Sequence, residues 1–464
     1  MVFSSPIFLF VFLPFVWFFH VLLPEKFRKA FLLFASLLFY IYGEEEFVIL
    51  MLATIAAAHV SVILIRRHER YKTIIAAAGS VLVLSILFVF KYANFFTSQL
   101  APLFTRFSVD ITPTKFHLPL GISFFTFQAV SCIIDFHRKR EEKEPSFLDT
   151  ALYISFFPQL VAGPIVRYDN FIPQLKYRAV HYAAFLYGLK RFVYGFAKKV
   201  LISNNLSPVV DKIFAMEPSS MGTVVAWAAP FLFGIQLYFD FSGYSDMAIG
   251  LARMFGIRIP ENFRYPFAAT SMSNFWRRWH ISLSTWFRDY LYIPMGGSRK
   301  GDFRTILNLW IVFIVCGLWH GAAWNFVLFG VIIALILTIE RLFKKYVRYS
   351  NTFLSHLYVI LIVFPAFFGS FRSNSAAQFF GIVRAMFVPA ASSPDMLQLF
   401  DVKTISVALA GIVLGFPAYE IIVKKFGSYK IFRYIEALFL IVLFAAALSS
   451  SSMIFSDPFI YFRF

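Results

Sequence analysis

The chain has 464 residues, of which 59% are hydrophobic, 20% aromatic and only 15% charged, and its mean hydropathy is +0.71. Apolar runs that reach or approach the about 20 residues needed to cross a bilayer core recur along it, which excludes a water-soluble protein. The net charge of +18 does not signal nucleic acid. The basic residues stand in short clusters between apolar runs, as cytoplasmic loops facing anionic lipid do, and no zinc-finger or helix-turn-helix spacing accompanies them.

A spanning chain must satisfy its backbone hydrogen bonds internally, so the expected fold is an all-α polytopic membrane protein; a β-barrel would show short alternating segments. The opening run to Leu23 has no positive n-region and no small-residue cleavage site, and reads as a retained first helix kinked at Pro14. Further apolar runs end at Tyr42, cover Phe47 to Ile65, and cover Thr73 to Phe90. Placing basic clusters inside puts the N-terminus and Glu44 to Glu46 outside, Arg66 to Lys72 inside, Lys91 to Lys115 outside and His137 to Lys143 inside.

Beyond residue 145 the spans become irregular. Tyr153 to Gly163, interrupted by Pro158, predicts a short or re-entrant helix buried in protein. His181 to Lys199, with Lys190, Arg191, Lys198 and Lys199 interleaved among aromatic residues, predicts an interfacial amphipathic helix. Val224 to Phe239 is apolar and runs into Asp240 and Asp246. The last third offers Ile306 to Trp319, Trp324 to Ile339, Leu354 to Phe371, Ile405 to Ile422 and Ile435 to Leu448. The total is roughly ten to twelve membrane segments, some partial. No repeat or inverted symmetry interrupts residues 1–464, so one membrane domain is expected: N-terminal spans in 1–145, a motif-bearing core in 146–345 and C-terminal spans in 346–464. Cys132 and Cys316 lie in apolar runs and read as buried free thiols.

The chemistry concentrates between Asn274 and Asn325, where six of the eight tryptophans lie, and where His280 and His320 each follow a tryptophan. Ionisable groups at membrane depth are costly and suggest function. A helix over Trp276 to Tyr290 would align Trp276, Trp279, His280, Leu283, Trp286, Phe287 and Tyr290 on one stripe, leaving Arg277, Arg278, Arg288 and Asp289 largely off it. That stripe suits an interfacial anchor with His280 as a hydrogen-bonded passenger as well as it suits a wet cavity. The basic turn Met295 to Arg304 offers charge and backbone N–H groups to a polyphosphate, although a plain cytoplasmic loop is the simpler reading. Ile306 to Ile339 is too long for one span of about 30 Å and too short for two plus a turn. Two short helices broken near His320–Gly321 would leave His320 inside the bilayer thickness. There it would be a proton acceptor from a hydroxyl, or a histidine bonding across a helix pair. Asp240 and Asp246 read as ion ligands, a proton relay or structural acceptors, the last being preferred. Most of the other seven histidines read as loop or interface residues. No HExxH, GxSxG, Walker loop or Cys/His zinc spacing is present, so neither a metal site nor ATP-driven pumping is expected.

These residues resemble the membrane-bound O-acyltransferases, within them the bacterial alginate O-acetyltransferase-like branch. The matching strings are Leu118 to Arg138, Phe156 to Tyr168, Gln236 to Phe267, Asn274 to Gly301 and Gly317 to Phe326, with the closing Pro458 to Phe464. One departure is FFGSFRSNS at Phe367 to Ser375, where the family has a more regular Phe-Arg-Ala segment. The resemblance implies a ring of helices around a central funnel or tunnel in the bacterial cytoplasmic membrane. It makes His320 the essential intramembrane histidine and His280 the second motif position. Trp276, Trp279, Trp286, Trp319, Trp324, Asn325, Arg277, Arg278 and Asp240 become candidates for the tunnel and substrate contacts. It implies an acyl thioester donor, acetyl-CoA first, with no permanently bound cofactor, and a separate acceptor or serine-hydrolase-like transferase outside the membrane. Transfer of D-alanine to teichoic acid is the competitor within the family. A transporter or flippase, or a scaffold for an exopolysaccharide machine, is the competitor outside it.

Overall fold

The computed structural model describes residues 1–105, 116–138, 145–176, 181–343, 353–390, 394–453 and 459–460, whose regular structure is helical, with no strand among the described residues. In chain order the helices begin with α1 (Leu13–Leu22), α2 (Glu25–Ile41), α3 (Val48–Arg67), α4 (Lys72–Thr105) and α5 (Ile122–Arg138). Then come α6 (Phe147–Ser155), α7 (Phe157–Leu160), α8 (Tyr168–Lys176), α9 (Tyr182–Ala197) and α10 (Asn204–Phe214). The motif region holds α11 (Thr223–Met254), α12 (Met272–Trp276), α13 (Ile281–Phe287), α14 (Gly301–His320) and α15 (Trp324–Phe343). The remainder is α16 (Phe353–Tyr358), α17 (Ser370–Arg372), α18 (Ala376–Phe387), α19 (Pro394–Leu397), α20 (Val402–Leu414), α21 (Ala418–Phe426) and α22 (Lys430–Met453). Among the described residues, seven helical stretches are long and apolar enough to cross a membrane, or eight if α20 and α21, bent by 59°, form one broken span. The protein is therefore an all-α, multi-pass membrane protein, with fewer full spans than the apolar runs suggest. The run from Ile405 to Ile422 is cut by Gly415–Phe416–Pro417, and Phe8–Leu22 is short.

The chain packs as two compact units, Met1–Phe192 with Met247–Pro260, and Val193–Asp246 with Glu261–Phe464. In the first, α3, α4 and α5 pack on one another and α6 packs against α2, α3 and α5. Pro14 lacks the N–H that the preceding turn requires, and the chain answers with a π-helical turn at Phe8–Phe12. Ser146 starts α6 by accepting from the Asp149 N–H at 3.1 Å. The interrupted run after Tyr153 forms the two short helices α6 and α7, buried in protein as expected. The connection read as beginning at Lys91 differs. α4 stays helical to Thr105, Lys91 is buried and donates to the Ser123 hydroxyl at 3.3 Å, and the rest of that connection lies outside the described residues. Most of the basic loop His137 to Lys143 and all but Phe459–Ile460 of the closing segment lie outside them too. His20 is not at a loop or interface; it is fully buried against Phe255, 5.2 Å between ring centres. α11 approaches α9 backbone to backbone here: a Cβ at Gly250 would stand 2.5 Å from the Gly188 carbonyl oxygen and 2.8 Å from the Phe192 nitrogen.

In the second unit α14 and α15 form a tight hairpin, close enough that a Cβ on Gly317 would collide with the Phe326 carbonyl. The break falls at His320–Gly321 as expected, but each helix has 20 residues rather than being short. Both continue past the charged residues that bounded the apolar runs, Asp302 and Arg304 on one side, Glu340 and Arg341 on the other. His320 therefore ends a full-length span, and its burial comes from protein packing. The expected interfacial helix also differs. After α9 the chain enters a π turn at Lys198–Ser203, and Lys199 is buried instead of facing lipid headgroups. α11 continues through Asp240 and Asp246 because Lys199 and Lys198 neutralise them, at 2.5 Å and 2.6 Å. Both cysteines are buried free thiols.

The α9–α11 approach gives a stability test. Gly250→Ala forces a methyl group against backbone on two sides, and about 1–3 kcal/mol of destabilisation is expected. A thermal-unfolding midpoint in detergent equal to that of the native chain would contradict that packing.

Candidate functional site

The stretch Trp276 to Tyr290 is not one helix. α12 stops at Trp276, the chain turns through Arg277–Trp279, and α13 starts at Ile281 from His280, whose backbone is left-handed (φ 43°). A non-glycine residue there stores strain of order 1–3 kcal/mol and is held by its surroundings. What holds it is Asn262, itself buried. Its carbonyl accepts from the Ile281 N–H at 2.9 Å, and its Oδ1 accepts from the Ser282 N–H at 3.2 Å and the Ser282 hydroxyl at 2.9 Å. Its Nδ2 donates to the Ser245 hydroxyl at 3.2 Å. Asn262 thus serves the first N–H groups of α13 in place of a capping side chain.

The other side of the corner is fixed by Glu340, a buried carboxylate near the end of α15. Its Oε1 accepts from the Met272 N–H at 2.5 Å and the Tyr358 hydroxyl at 3.1 Å. Its Oε2 accepts from the Ser273 N–H at 3.0 Å and the Ser273 hydroxyl at 2.7 Å. A negative charge at the start of α12 also complements that helix's dipole. Ser271 completes the cap by accepting from the Asn274 N–H at 3.0 Å.

Between these anchors the two histidines meet one ring. The indole of Trp319 lies 5.9 Å from the His280 ring and 5.0 Å from the His320 ring, centre to centre. Phe241 stands edge-on to His280 at 4.6 Å, and Phe371 and Phe329 stand edge-on to His320 at 5.1 Å and 5.7 Å. His280 is completely buried and His320 is 4% exposed. Burial pushes the pKa of His280 down from 6.5 to about 3, so its imidazole is neutral at physiological pH.

The remaining candidates separate by position. Trp279 is buried in a second aromatic layer, 5.5 Å from Phe275, 5.0 Å from Phe263 and 5.5 Å from Phe367. Trp276 packs on Phe313 and Phe367 at 5.1 Å and 5.7 Å, and Trp286 on Tyr290 at 5.0 Å. Trp324 is 64% exposed, Arg277 is exposed and Asn325 is half-buried. Arg278 is tied into the corner, donating to Asn274 Oδ1 at 2.9 Å and to the Arg264 carbonyl at 3.1 Å. Asp240 is ion-paired with Lys199, and Asp246 with Lys198, rather than with the Tyr, Ser or Arg groups expected of structural acceptors. The basic turn after Met295 is pinned by Asn308, whose Nδ2 donates to the Gly297 carbonyl at 2.9 Å. No group of three His, Cys, Asp or Glu side chains able to hold a metal occurs among the described residues.

Sequence reasoning missed Phe241, Phe371, Asn262, Glu340 and Lys199. For Glu340 the signal was present, an acid embedded in an otherwise apolar span. Phe367 and Phe371 lie in the segment that departs from the family pattern, and that segment packs as a π turn at Pro365–Gly369 followed by α17, with both rings buried.

Two tests follow from this geometry. Glu340→Gln turns an amide NH₂ toward hydrogen-bond donors and leaves at least one of them unpaired, costing about 1–3 kcal/mol; an unchanged melting temperature would exclude the capping role. For His280, the folded pKa lies below the unfolded value, so the unfolded chain binds the proton first as pH falls. The stability this ring contributes is complete above about pH 6.5 and is lost progressively toward pH 3. Asparagine tolerates left-handed backbone, so His280→Asn should unfold with a shallower acid dependence than the native chain, and parallel curves between pH 7.5 and 4.5 would contradict the neutral, buried ring.

Comparison with known proteins agrees with the geometry. The model of MBOAT, the membrane-bound O-acyltransferase family, matches residues 114–371, which include both histidines. A probable alginate O-acetylase of Pseudomonas putida is 34% identical, over all of this chain and all of its own. A peptidoglycan O-acetyltransferase of Helicobacter pylori is 34% identical over 78% of this chain and 75% of its own, and a teichoic acid D-alanyltransferase of Bacillus subtilis 33% identical over 49% and 60%. Matches of this extent displace the transporter and scaffold readings. The chain belongs to the membrane-bound O-acyltransferase family and is an acyltransferase.

Proposed function

We propose that the enzyme moves an acyl group, acetyl in the first instance, from acetyl-CoA at the cytoplasmic face to a hydroxyl of an extracytoplasmic polysaccharide or cell-wall polymer. The observation that carries this reading is the convergence of His280 and His320 on the buried ring of Trp319. The named activities of the Pseudomonas putida and Helicobacter pylori relatives support acetyl transfer to such polymers. D-Alanyl transfer is the second reading. Its support is a relative matched over 49% of the chain, against 100% for the alginate relative. In this reading residues 1–464 work as one domain of a bacterial cytoplasmic membrane, N-terminus outside and Arg66 to Lys72 inside.

The chemistry asked of the protein is modest because a thioester is already activated. The acceptor hydroxyl attacks the thioester carbonyl while the His320 imidazole takes its proton. The tetrahedral adduct then collapses, the C–S bond breaks, and the imidazolium returns the proton to the departing thiolate. His280, neutral and fixed in a left-handed corner, positions the reactants by hydrogen bonding rather than by charge. The rings around both histidines keep water from the thioester and hold the reactants in register. A separate serine-hydrolase-like protein outside the membrane receives the group and passes it to the polymer.

In proteoliposomes supplied with labelled acetyl-CoA, His320→Ala should lose about two to four orders of magnitude in transfer at matched protein amounts. His320→Gln should fail almost as badly and His280→Ala less so. Native turnover in the alanine variant would remove His320 from the mechanism. The native protein with donor alone should show slow thioester hydrolysis, with polymer acetylation appearing only when the partner is added; efficient acetylation without it would refute the division of labour.

A further inference from the structure

The ion pair between Lys199 and Asp240 has both side chains almost wholly buried, 5% and 3% exposed, and joins the π turn after α9 to α11. Taking two charges out of water costs several kcal/mol per ion, and attraction within the pair repays this only when the remaining lone pairs are also satisfied. Lys199 Nζ takes one carboxylate oxygen of Asp240 at 2.5 Å and lies 3.5 Å from Asn204 Oδ1. The other oxygen of Asp240 accepts from a residue 220 positions away, the backbone N–H of Ile460, at 2.8 Å. Ile460 and its neighbour Phe459 are both buried.

The adjacent residues repeat the grip with aromatic rings. Phe459 packs on Tyr244 at 4.9 Å and on Phe241 at 5.5 Å. Phe241, next to Asp240 on α11, is the ring that stands edge-on to His280 at 4.6 Å. A continuous path of contacts therefore runs from the buried ion pair through Ile460 and Phe459 to the ring that walls His280.

We propose that Asp240 and Phe459 are positioning residues. Asp240, its charge balanced by Lys199, fastens the Phe459–Ile460 segment onto α11, and Phe459 holds Phe241 against His280, which seals that imidazole from water and fixes its ring. The consequence for turnover rests on the proposed role of His280; the sealing itself does not. Asp240 is a poor residue to mutate, since its loss would strand the Lys199 charge. Ile460→Pro is cleaner. Ile460 lies in a 3-10 turn, whose φ proline accepts, so the substitution deletes the N–H that Asp240 receives, together with part of a buried side chain; Ile460→Ala, which loses the side chain and keeps the N–H, separates the two and should leave His280 protected.

The test reads the histidines directly. The full-length protein in detergent is treated with diethyl pyrocarbonate, and carbethoxylation of each histidine is followed by peptide mass spectrometry. His280 should resist modification in the native chain and in Phe459→Tyr, which retains the ring. In Ile460→Pro and Phe459→Ala it should react at least about tenfold faster, as a local opening allows, while His20, equally buried in the other unit, stays protected. In the same two variants kcat for acetyl transfer should fall about ten- to a hundredfold with KM for the donor within twofold. Equal protection of His280 in all variants, or His20 becoming reactive alongside it, would overturn the proposal. If His280→Ala turns over normally while the selective labelling is still seen, the catalytic reading fails and the seal stands.

Discussion

A polar group held away from water must find its partner inside the protein, and this constraint shapes the motif region more than any other. The corner from Ser271 to Ser282 has no long helix to absorb its backbone hydrogen bonds. Two residues take over that task, Glu340 from a helix and Asn262, with both its side chain and its backbone carbonyl, from a loop. Glu340 gathers the N–H groups at the start of α12, and Asn262 gathers those at the start of α13. With both ends fixed, the residue between them can be held in a conformation it would not choose, and that residue is His280. The strain at this position is thus supported by identifiable bonds, and it places the imidazole beside Trp319.

The two histidines reach the same ring by different routes. His320 is the last residue of a 20-residue helix, followed by an extended Gly321 (φ −165°), so its place is set by where α14 stops. The Gly317–Phe326 approach sets that end in turn, because it locks α14 against α15 just before the break. His280 belongs to a turn and is set by hydrogen bonds from two directions. A shift in the Asn262 contacts moves His280 alone, whereas a shift in the α14–α15 hairpin moves His320 and Trp319 together and reaches the His280 corner only through Glu340. Their relative placement therefore reports on two separate packing arrangements, which makes the pair sensitive to substitutions well away from either ring.

Much of this was legible in the sequence, and the limits were specific. The spans, the break at His320–Gly321 and the short buried helical stretch within Tyr153 to Gly163 followed from run length and from the positions of glycine and proline. The family followed from strings that recur in order between Leu118 and Phe464. Helix ends were misplaced wherever a charge was taken to mark the membrane surface, at Asp302, Glu340 and Lys199, because a charge with an internal partner no longer marks a boundary and the partner is distant in sequence. Glu340 meets residues 67 and 68 positions away, and Lys199 meets Asp240 41 positions away. The stripe from Trp276 to Tyr290 failed for a related reason. Helical periodicity is blind to a single left-handed residue when that residue is not glycine, and nothing local in TrpHisIleSer marks His280 as one. The aromatic walls were invisible because Phe241, Phe329 and Phe371 are ordinary members of apolar helices until tertiary packing brings them to the histidines.

Aromatic rings also account for what kind of site this is. Phenylalanine and tryptophan have few rotatable bonds, so a wall built from them loses little entropy on ordering and presents large flat surfaces in fixed orientation. Edge-on contacts at 4.6 to 5.7 Å around both imidazoles exclude water without supplying charge. The thioester donor proposed above would need such a surrounding, since water competes with the acceptor hydroxyl for the same carbonyl carbon. The same dryness keeps His280 uncharged, which removes it as a source of positive charge and leaves its hydrogen-bonding geometry as its contribution. A polar lining would have solvated the imidazole and admitted the competing nucleophile at once. In the proposed reading, the aromatic content of this chain, spread over its membrane helices, is at this point of the structure what lets an acyl donor survive long enough to be transferred.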